Sequence, residues 1–272
     1  MMANKVWRVI TGGAETGYSN MAIDEAIMRS VSRRESPPTL RFYAWNPPAV
    51  SIGYFQKMPG EVDPGRCSMR GFDLVRRPTG GRAVLHDDEV TYSVCITESD
   101  LPGTVVETYK ILSTGLVRGL NLLGIEASLV PHGSAREERS SAACFDAPSW
   151  YEVVCDGKKV IGSAQVRRMG AILQHGSVPI TFSAENMAYV LAVASERVRA
   201  RIKSTLQKKA AGLSDFLPSR PSFVEVSTAL TDGLRQTLHI ELHEMPLLDS
   251  EKQEAARLMD AKYARLEWNT KR

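Results

Sequence analysis

Apolar positions along the chain change period several times, and the changes mark out a mixed succession of strands and helices. Residues 6–10 read as a strand closed by Gly12-Gly13. From 18 to 33, Met21, Ile23, Ala26, Ile27 and Val31 recur at the spacing of one broad helical face, with Ser19 as its cap. Pro37-Pro38 ends that helix. Strands are expected at 40–45 and 50–55, around the stiff turn Asn46-Pro47-Pro48, and at 73–77, running into Pro78-Thr79-Gly80-Gly81. In 89–97, Val90, Tyr92, Val94 and Ile96 alternate strictly, which is strand spacing. The longest helical pattern covers 104–123, with Gly124 as its stop signal.

A strand over 125–130 is followed by PHGSAREERSSAA, a polar stretch read as a surface loop. Strands at 150–155 and from 159 onward flank Asp156-Gly157, a type I′ hairpin signal, and another strand covers 172–180. Helices are expected at 184–192, 221–237 and 249–265; 197–209 is read as a solvated basic helix or loop, and 238–243 alternates as a strand. The order lacks a regular strand–helix–strand repeat. It therefore predicts an α+β fold with a mixed, largely antiparallel central sheet flanked by helices.

Composition narrows the function classes. Of 272 residues, 43% are apolar and 24% charged, which excludes disordered, collagen-like and coiled-coil chains. A net charge of +3 is too small to argue for nucleic acid as a partner. No window approaches eighteen apolar residues, so no membrane span is expected. The opening MMANKVWRVITGG lacks the apolar core of a secretory signal, and Cys67, Cys95, Cys144 and Cys155 are too few for a disulfide scaffold. Reduced thiols in a cytoplasm are the expectation. No GxxxxGK[ST], HExxH, paired CxxC or GxSxG pattern occurs, and His239 and His243 sit in strand-like alternation, so no metal site is expected.

Three segments stand out chemically. Arg76-Arg77-Pro78-Thr79-Gly80-Gly81-Arg82-Ala83-Val84-Leu85-His86 joins two strands. Adjacent glycines let backbone approach a ligand closely, and arginines favour an anion; a glycine-rich turn with solvated arginines is the plainer alternative. ACFDAPS places Cys144 at the end of the polar loop, whereas Cys95 and Cys155 fall in strands and read as packing residues. A loop thiol that reaches a pocket suits nucleophilic catalysis, and a thiol packed under Phe145 is the alternative. In DGKKVIGSAQ, strand alternation sets Lys159, Ile161 and Ser163 on one face and Lys158, Val160 and Gly162 on the other. An inward lysine is costly unless it meets an anion or a carbonyl, so Lys159 could stabilise a thiolate or polarise an acyl carbonyl. Two surface lysines after Asp-Gly would be the ordinary alternative.

RRPTGGRAVLHDDEVTYSV, ACFDAPSWYEVVCDGKKVIGSAQVRR and ILQHGSVPI, in that order, resemble the superfamily of lipoate–protein ligase A, octanoyltransferases and biotin ligases. YSNMAIDEAIM, TLRFYAWNPPAVSIGYFQ and KYARLEWN extend the resemblance over about 6–269. Within it, the cysteine before the GKK strand is similar to that of the LipM-type octanoyltransferases. The resemblance implies one catalytic domain over 1–272 of the class II aminoacyl-tRNA-synthetase and biotin-ligase type, with a core at about 6–190 and a C-terminal helical completion at 191–272. It implies transfer of an octanoyl group from acyl carrier protein, through a Cys144 thioester, to a lysine of a lipoyl-domain protein such as glycine cleavage H protein. Lys159 would hold the acyl carbonyl. Arg76, Arg77, Gly80, Gly81 and His86 would line one wall of the substrate channel, with Ser163, Ala164, Gln165, His175 and Gly176 forming the other. No cofactor, metal, nucleic acid or membrane is implied. An ATP-dependent lipoate ligase, with Cys144 incidental, and a non-catalytic carrier-domain binder are the two other readings the residues allow.

Overall fold

Val6–Glu15 (β1), Thr39–Trp45 (β2), Glu89–Thr97 (β6), Ala127–Pro131 (β7), Tyr151–Cys155 (β8), Lys158–Arg168 (β9), Ala171–Pro179 (β10) and Glu241–Glu244 (β11) form one sheet in the order β11-β1-β2-β6-β10-β9-β8-β7. The structure, a computed structural model, describes residues 6–58, 60–131 and 151–271. β1 pairs in parallel with β11 and β2, and the remaining pairings are antiparallel, so the sheet is mixed and largely antiparallel as expected. A smaller sheet holds Ala49–Ile52 (β3) between Asp73–Arg76 (β4) and Val84–His86 (β5).

One face of the large sheet carries Phe42, Tyr92, Val94, Ile161 and Ile172 against Val105–Leu122 (α3) and Phe223–Leu238 (α6). The other face packs Leu173 and Cys95 under Gly17–Ser32 (α1), with Asp249–Leu258 (α7) outside it. Pro64–Met69 (α2), Ala184–Val190 (α4) and Glu196–Lys209 (α5) cover the small sheet. Leu266–Thr270 (α8) returns to β4. The helix expected at 249–265 breaks after Leu258 into the π turn Met259–Tyr263.

Several local expectations shift for identifiable reasons. β1 does not end at Gly12-Gly13; the two glycines form a bulge against β2 and pairing resumes at Ala14. Thr16, not Ser19, caps α1: its hydroxyl accepts the Ser19 N–H. β3 stops at Ile52 because Gly53 passes so close to the next loop that a Cβ there would stand 2.0 Å from the Gly81 carbonyl oxygen. The β8–β9 turn is as expected, with Asp156 and Gly157 at φ of 48° and 71°. α3 and α6 cross through glycines. A Cβ at Gly233 would meet Gly119 N at 2.2 Å and Gly115 O at 2.4 Å, both backbone atoms that cannot move aside cheaply. Gly233→Ala should therefore lower the thermal unfolding midpoint despite the roughly 1 kcal/mol gain in helix propensity, because overpacking at such a crossing costs about 1–3 kcal/mol or more. An unchanged or raised midpoint by calorimetry would show that the helices can spread freely.

Candidate active site

Between the small sheet and the α1 face of the large one lies a cleft with about 360 Å³ of free space, its open mouth included, lined by Met21, Tyr43, Trp45, Arg77, His86 and His175 among others. Two buried networks build its walls. Glu89 accepts from His86 Nδ1 at 2.8 Å, from Ser177 Oγ at 2.5 Å and from Thr91 Oγ1, while Trp45 Nε1 donates to Thr91 Oγ1 at 2.7 Å. A carboxylate on Nδ1 fixes the proton there, so His86 Nε2 accepts the Ser51 hydroxyl at 2.7 Å. The His86 ring lies flat on Trp45, with centroids 4.1 Å apart.

The second network centres on Asp24, which is fully buried on α1. Its carboxylate accepts from Arg41 Nη1 at 2.8 Å, Tyr43 OH at 2.8 Å, Ser93 Oγ at 2.9 Å and His175 Nδ1 at 3.1 Å. Burial pushes this carboxyl up, but the His175 hydrogen bond and the Arg41 guanidinium outweigh it and hold it below the usual range. Burial lowers His175, so it is neutral and its Nε2 accepts the Thr79 hydroxyl at 2.7 Å. The polar atoms of both walls are thus spent on one another. What faces the cleft is ring surface, methyl and methylene, a slot suited to an alkyl chain.

A depressed histidine has a directional consequence. Below its unfolded pKa of about 6.5, the unfolded chain takes up a proton that native His175 refuses, so stability falls as pH drops through about 6.5. The slope is at most ~1.4 kcal/mol per pH unit for one proton. Carboxylates with lowered values, Asp24 among them, act only further into acid. Chemical denaturation between pH 7 and 5.5 should show this loss, and His175→Gln should flatten it; a wild-type profile already flat there would refute a neutral His175.

The residues singled out from sequence are distributed as follows. Arg77, His86, Ser163, Ala164, His175 and Gly176 line the cleft. Arg77 Nη1 donates to Ser51 O at 3.0 Å and Ser51 Oγ at 3.1 Å, and Nη2 to the carbonyls of Gly80 at 2.7 Å and Arg82 at 2.8 Å. The Gly80-Gly81 loop is thereby tied to the cleft wall. Arg76 is fully buried and faces away: its guanidinium binds the carbonyls of Gly53, Tyr54, Gln56, Trp268, Asn269 and Lys271, stapling the C-terminal segment to the 53–56 loop. Gln165 turns toward α3, where it meets Thr108 and Gln174.

The expected phase of β9 is corrected. Ser163 lines the cleft between Gly162 and Ala164, but its Oγ accepts from Tyr92 OH at 2.7 Å on the α3 side. Val153 pairs with Ile161 but Val154 with Lys159, so Val160 is an extra residue, a bulge that inverts the alternation before it. Val160 and Ile161 consequently share one core. Lys159, 4% exposed, sits on the opposite side and donates from Nζ to Glu152 Oε1 at 3.0 Å. Val153, next to Glu152, belongs to the α3 core, so Glu152 and the ammonium it holds lie on the cleft side of the sheet. Cys144 lies outside the described residues.

Sequence reasoning passed over Asp24, Arg41, Tyr43, Ser51 and Glu89. A signal existed: Asp24 interrupts an apolar helical stripe, and Thr91, Ser93, His175 and Ser177 alternate as polar residues along two central strands. Among the described residues, no three of His, Cys, Asp and Glu gather as a metal site, and no helix is long and apolar enough to cross a membrane.

Comparison with known proteins places this geometry. Residues 16–235 match the lipoyl protein ligase A/B catalytic domain family. The chain is 48% identical over 271 residues to octanoyltransferase LipM of Kyrpidia tusciae, covering 97% of this chain and 98% of that protein. It is 39% identical over 278 residues to octanoyltransferase LipM of Bacillus subtilis, covering both fully. Among solved structures, a bipartite lipoate protein ligase of an archaeal lipoylation system from Thermoplasma acidophilum superposes with a TM-score of 0.82 at 30% identity, over 99% of this chain and 97% of that one. A lipoate-protein ligase A bound with ATP gives 0.79 at 29%, over 98% of each.

Proposed function

The chain belongs to the lipoyl protein ligase A/B catalytic domain family, and on that footing we propose that it is an acyltransferase moving an octanoyl group from acyl carrier protein to a lipoyl-domain lysine. The observation that carries this reading is the full-length similarity to LipM octanoyltransferases in a chain that keeps a cysteine before the GKK strand. The cleft supports it, since an alkyl chain fits walls whose polar atoms are already satisfied. In this reading the whole of 1–272 works as one catalytic domain, with β11 pairing to β1 and α6 packed on α3 to complete the core.

The Cys144 thiolate attacks the carrier thioester; the new carbon–sulfur bond replaces the old one, and the carrier leaves as a thiolate that takes a proton from solvent. The free ε-amine of the acceptor lysine then attacks, the carbon–nitrogen bond forms, and Cys144 is released with the proton redistributed to solvent. Lys159 holds the carbonyl oxygen as it gains charge, Gly162, Ala164 and Gly176 leave room beside the chain, and Arg77 and His86 fix the opposite wall. Exchange between thioesters is nearly balanced and aminolysis is downhill, so ATP is not required. The enzyme would act in the cytoplasm, on an acceptor such as glycine cleavage H protein.

One observation favours a ligase instead: the superposing structures are lipoate ligases, one with ATP bound. Intact mass spectrometry after incubation with octanoyl-carrier, without ATP, separates the two. Covalent octanoyl on the chain, discharged by a lipoyl domain, is the expected result. Modification of the acceptor only with ATP and free octanoate would establish the ligase, and no transfer under either condition would leave a carrier-domain binder.

A further inference from the structure

The basic stretch expected to be a solvated helix or loop is a regular helix with three distinct rows of side chains. On α5, Ile202 and Leu206 stand four apart and face the small-sheet core, where Leu206 is buried. Arg199 and Lys203 stand on one flank and are engaged: Arg199 binds Glu196 and the carbonyls of Ala188, Tyr189 and Leu191, and Lys203 binds Glu185. Arg197, Arg201 and Lys208 form a third row, at i, i+4 and i+11, on the outward side. All three are exposed, and none has a carboxylate at ion-pair distance among the described residues. Only small or polar residues, Ala200 and Ser204, lie between them.

This row leads to the site. Two residues beyond Lys208, Ala210 bridges the backbone of Lys159, and Ala211 N donates to Lys159 O at 3.1 Å. The row thus begins beside the lysine on which the proposed chemistry depends and runs away from it for roughly 16 Å, eleven residues at 1.5 Å each. Unsatisfied cations along one helical ridge, with no matching acids, complement an acidic protein surface; such charges act chiefly on encounter and orientation.

We propose that the Arg197–Arg201–Lys208 ridge of α5 is the docking face for the acidic acyl carrier that donates the octanoyl group. This rests on the transferase reading above and names where its donor sits. Reach selects the donor over the acceptor. An acceptor lysine has only its own side chain to extend, so its domain must lie at the mouth of the site. A carrier presents its thioester on a long phosphopantetheine arm, and its body must therefore rest at a distance, as the ridge does.

The test uses the full chain with Arg197→Glu, Arg201→Glu and Lys208→Glu combined, and a parallel set of glutamine variants should the reversal disturb folding. Two readouts are compared: the Kd of the phosphopantetheine-bearing carrier without an acyl group, at low and high salt, and acyl-enzyme formation from octanoyl-carrier against octanoyl-pantetheine. The reversed chain should bind the carrier at least about tenfold more weakly and lose its salt dependence, while acylation by octanoyl-pantetheine stays within about twofold of wild type. An unchanged carrier Kd overturns the proposal, as does equal loss with both donors or weakened binding of the lipoyl domain alone. A wild-type chain whose carrier binding depends on the ridge but which accepts no octanoyl overturns the transferase reading and leaves the docking face standing.

Discussion

Cys144→Ser should abolish octanoyl transfer, with a loss of roughly 10⁴-fold or more, the usual consequence of removing a covalent nucleophile. Serine preserves size, but its hydroxyl is not ionised near neutrality, and no thioester can form on it. The other three cysteines are poor candidates on physical grounds. Burial, with Asp63 nearby, pushes the Cys67 thiol up to about 12. Burial and the charges of Asp24 and Glu251 raise Cys95 well above its ordinary value, and burial with Asp156 and Glu126 raises Cys155. Each is a protonated thiol at neutral pH and behaves as a small hydrophobe. Cys95→Ala and Cys155→Ala should accordingly cost stability and leave transfer intact. The assay is acyl-enzyme formation by intact mass together with amide formation on the acceptor. Near-normal transfer in Cys144→Ser alongside its loss in Cys67→Ser would move the nucleophile to the wrong side of this argument.

Local pattern carried much of the fold. Strict alternation in 89–97 marked β6, the periodic run closed by Gly124 marked α3, and Asp156-Gly157 fixed a hairpin, because each depends on residues within a few positions of one another. What pattern could not carry is set by distant partners. The bulge at Val160 exists because β8 pairs out of step with β9, and no residue of β9 announces it. Arg76 reads as an anion-binding arginine until its partners appear, backbone carbonyls nearly two hundred residues further along the chain. Asp24 and Arg41 pair across a helix and a strand at 2.8 Å, deep inside, and each is tolerable there only because the other is present. The cleft therefore emerged from sequence as two glycine- and histidine-bearing walls, while the ionised groups that hold those walls in place did not.

Lys159→Ala should reduce transfer by about 10²–10³-fold, the usual cost of losing one oxyanion-type donor, while Lys158→Ala changes it little. The contrast comes from the bulge. Lys159 is turned to the cleft side of the sheet and buried, its ammonium held by Glu152, and it lies three residues, roughly 10 Å of strand, before Gly162 in the cleft wall. In the mechanism proposed above, a cation fixed there would strengthen the hydrogen bond to a carbonyl oxygen that becomes anionic in both transfer steps. It also favours a thiolate over a thiol. Lys158 belongs to a different neighbourhood: it lines an open groove with Glu185, Lys203 and Asp215, outside the cleft. Removing Lys159 frees a carboxylate that still touches solvent, so folding should suffer far less than rate; the thermal midpoint measured beside kcat separates the two. Because the interaction strengthens as charge develops, kcat should fall more than KM rises, and Lys159→Arg should restore only part of the rate, since a planar fork cannot occupy the same point. Equal losses in Lys158→Ala and Lys159→Ala would assign both lysines to partner docking, and an unaffected Lys159→Ala would remove the ammonium from the chemistry while leaving Cys144 as nucleophile.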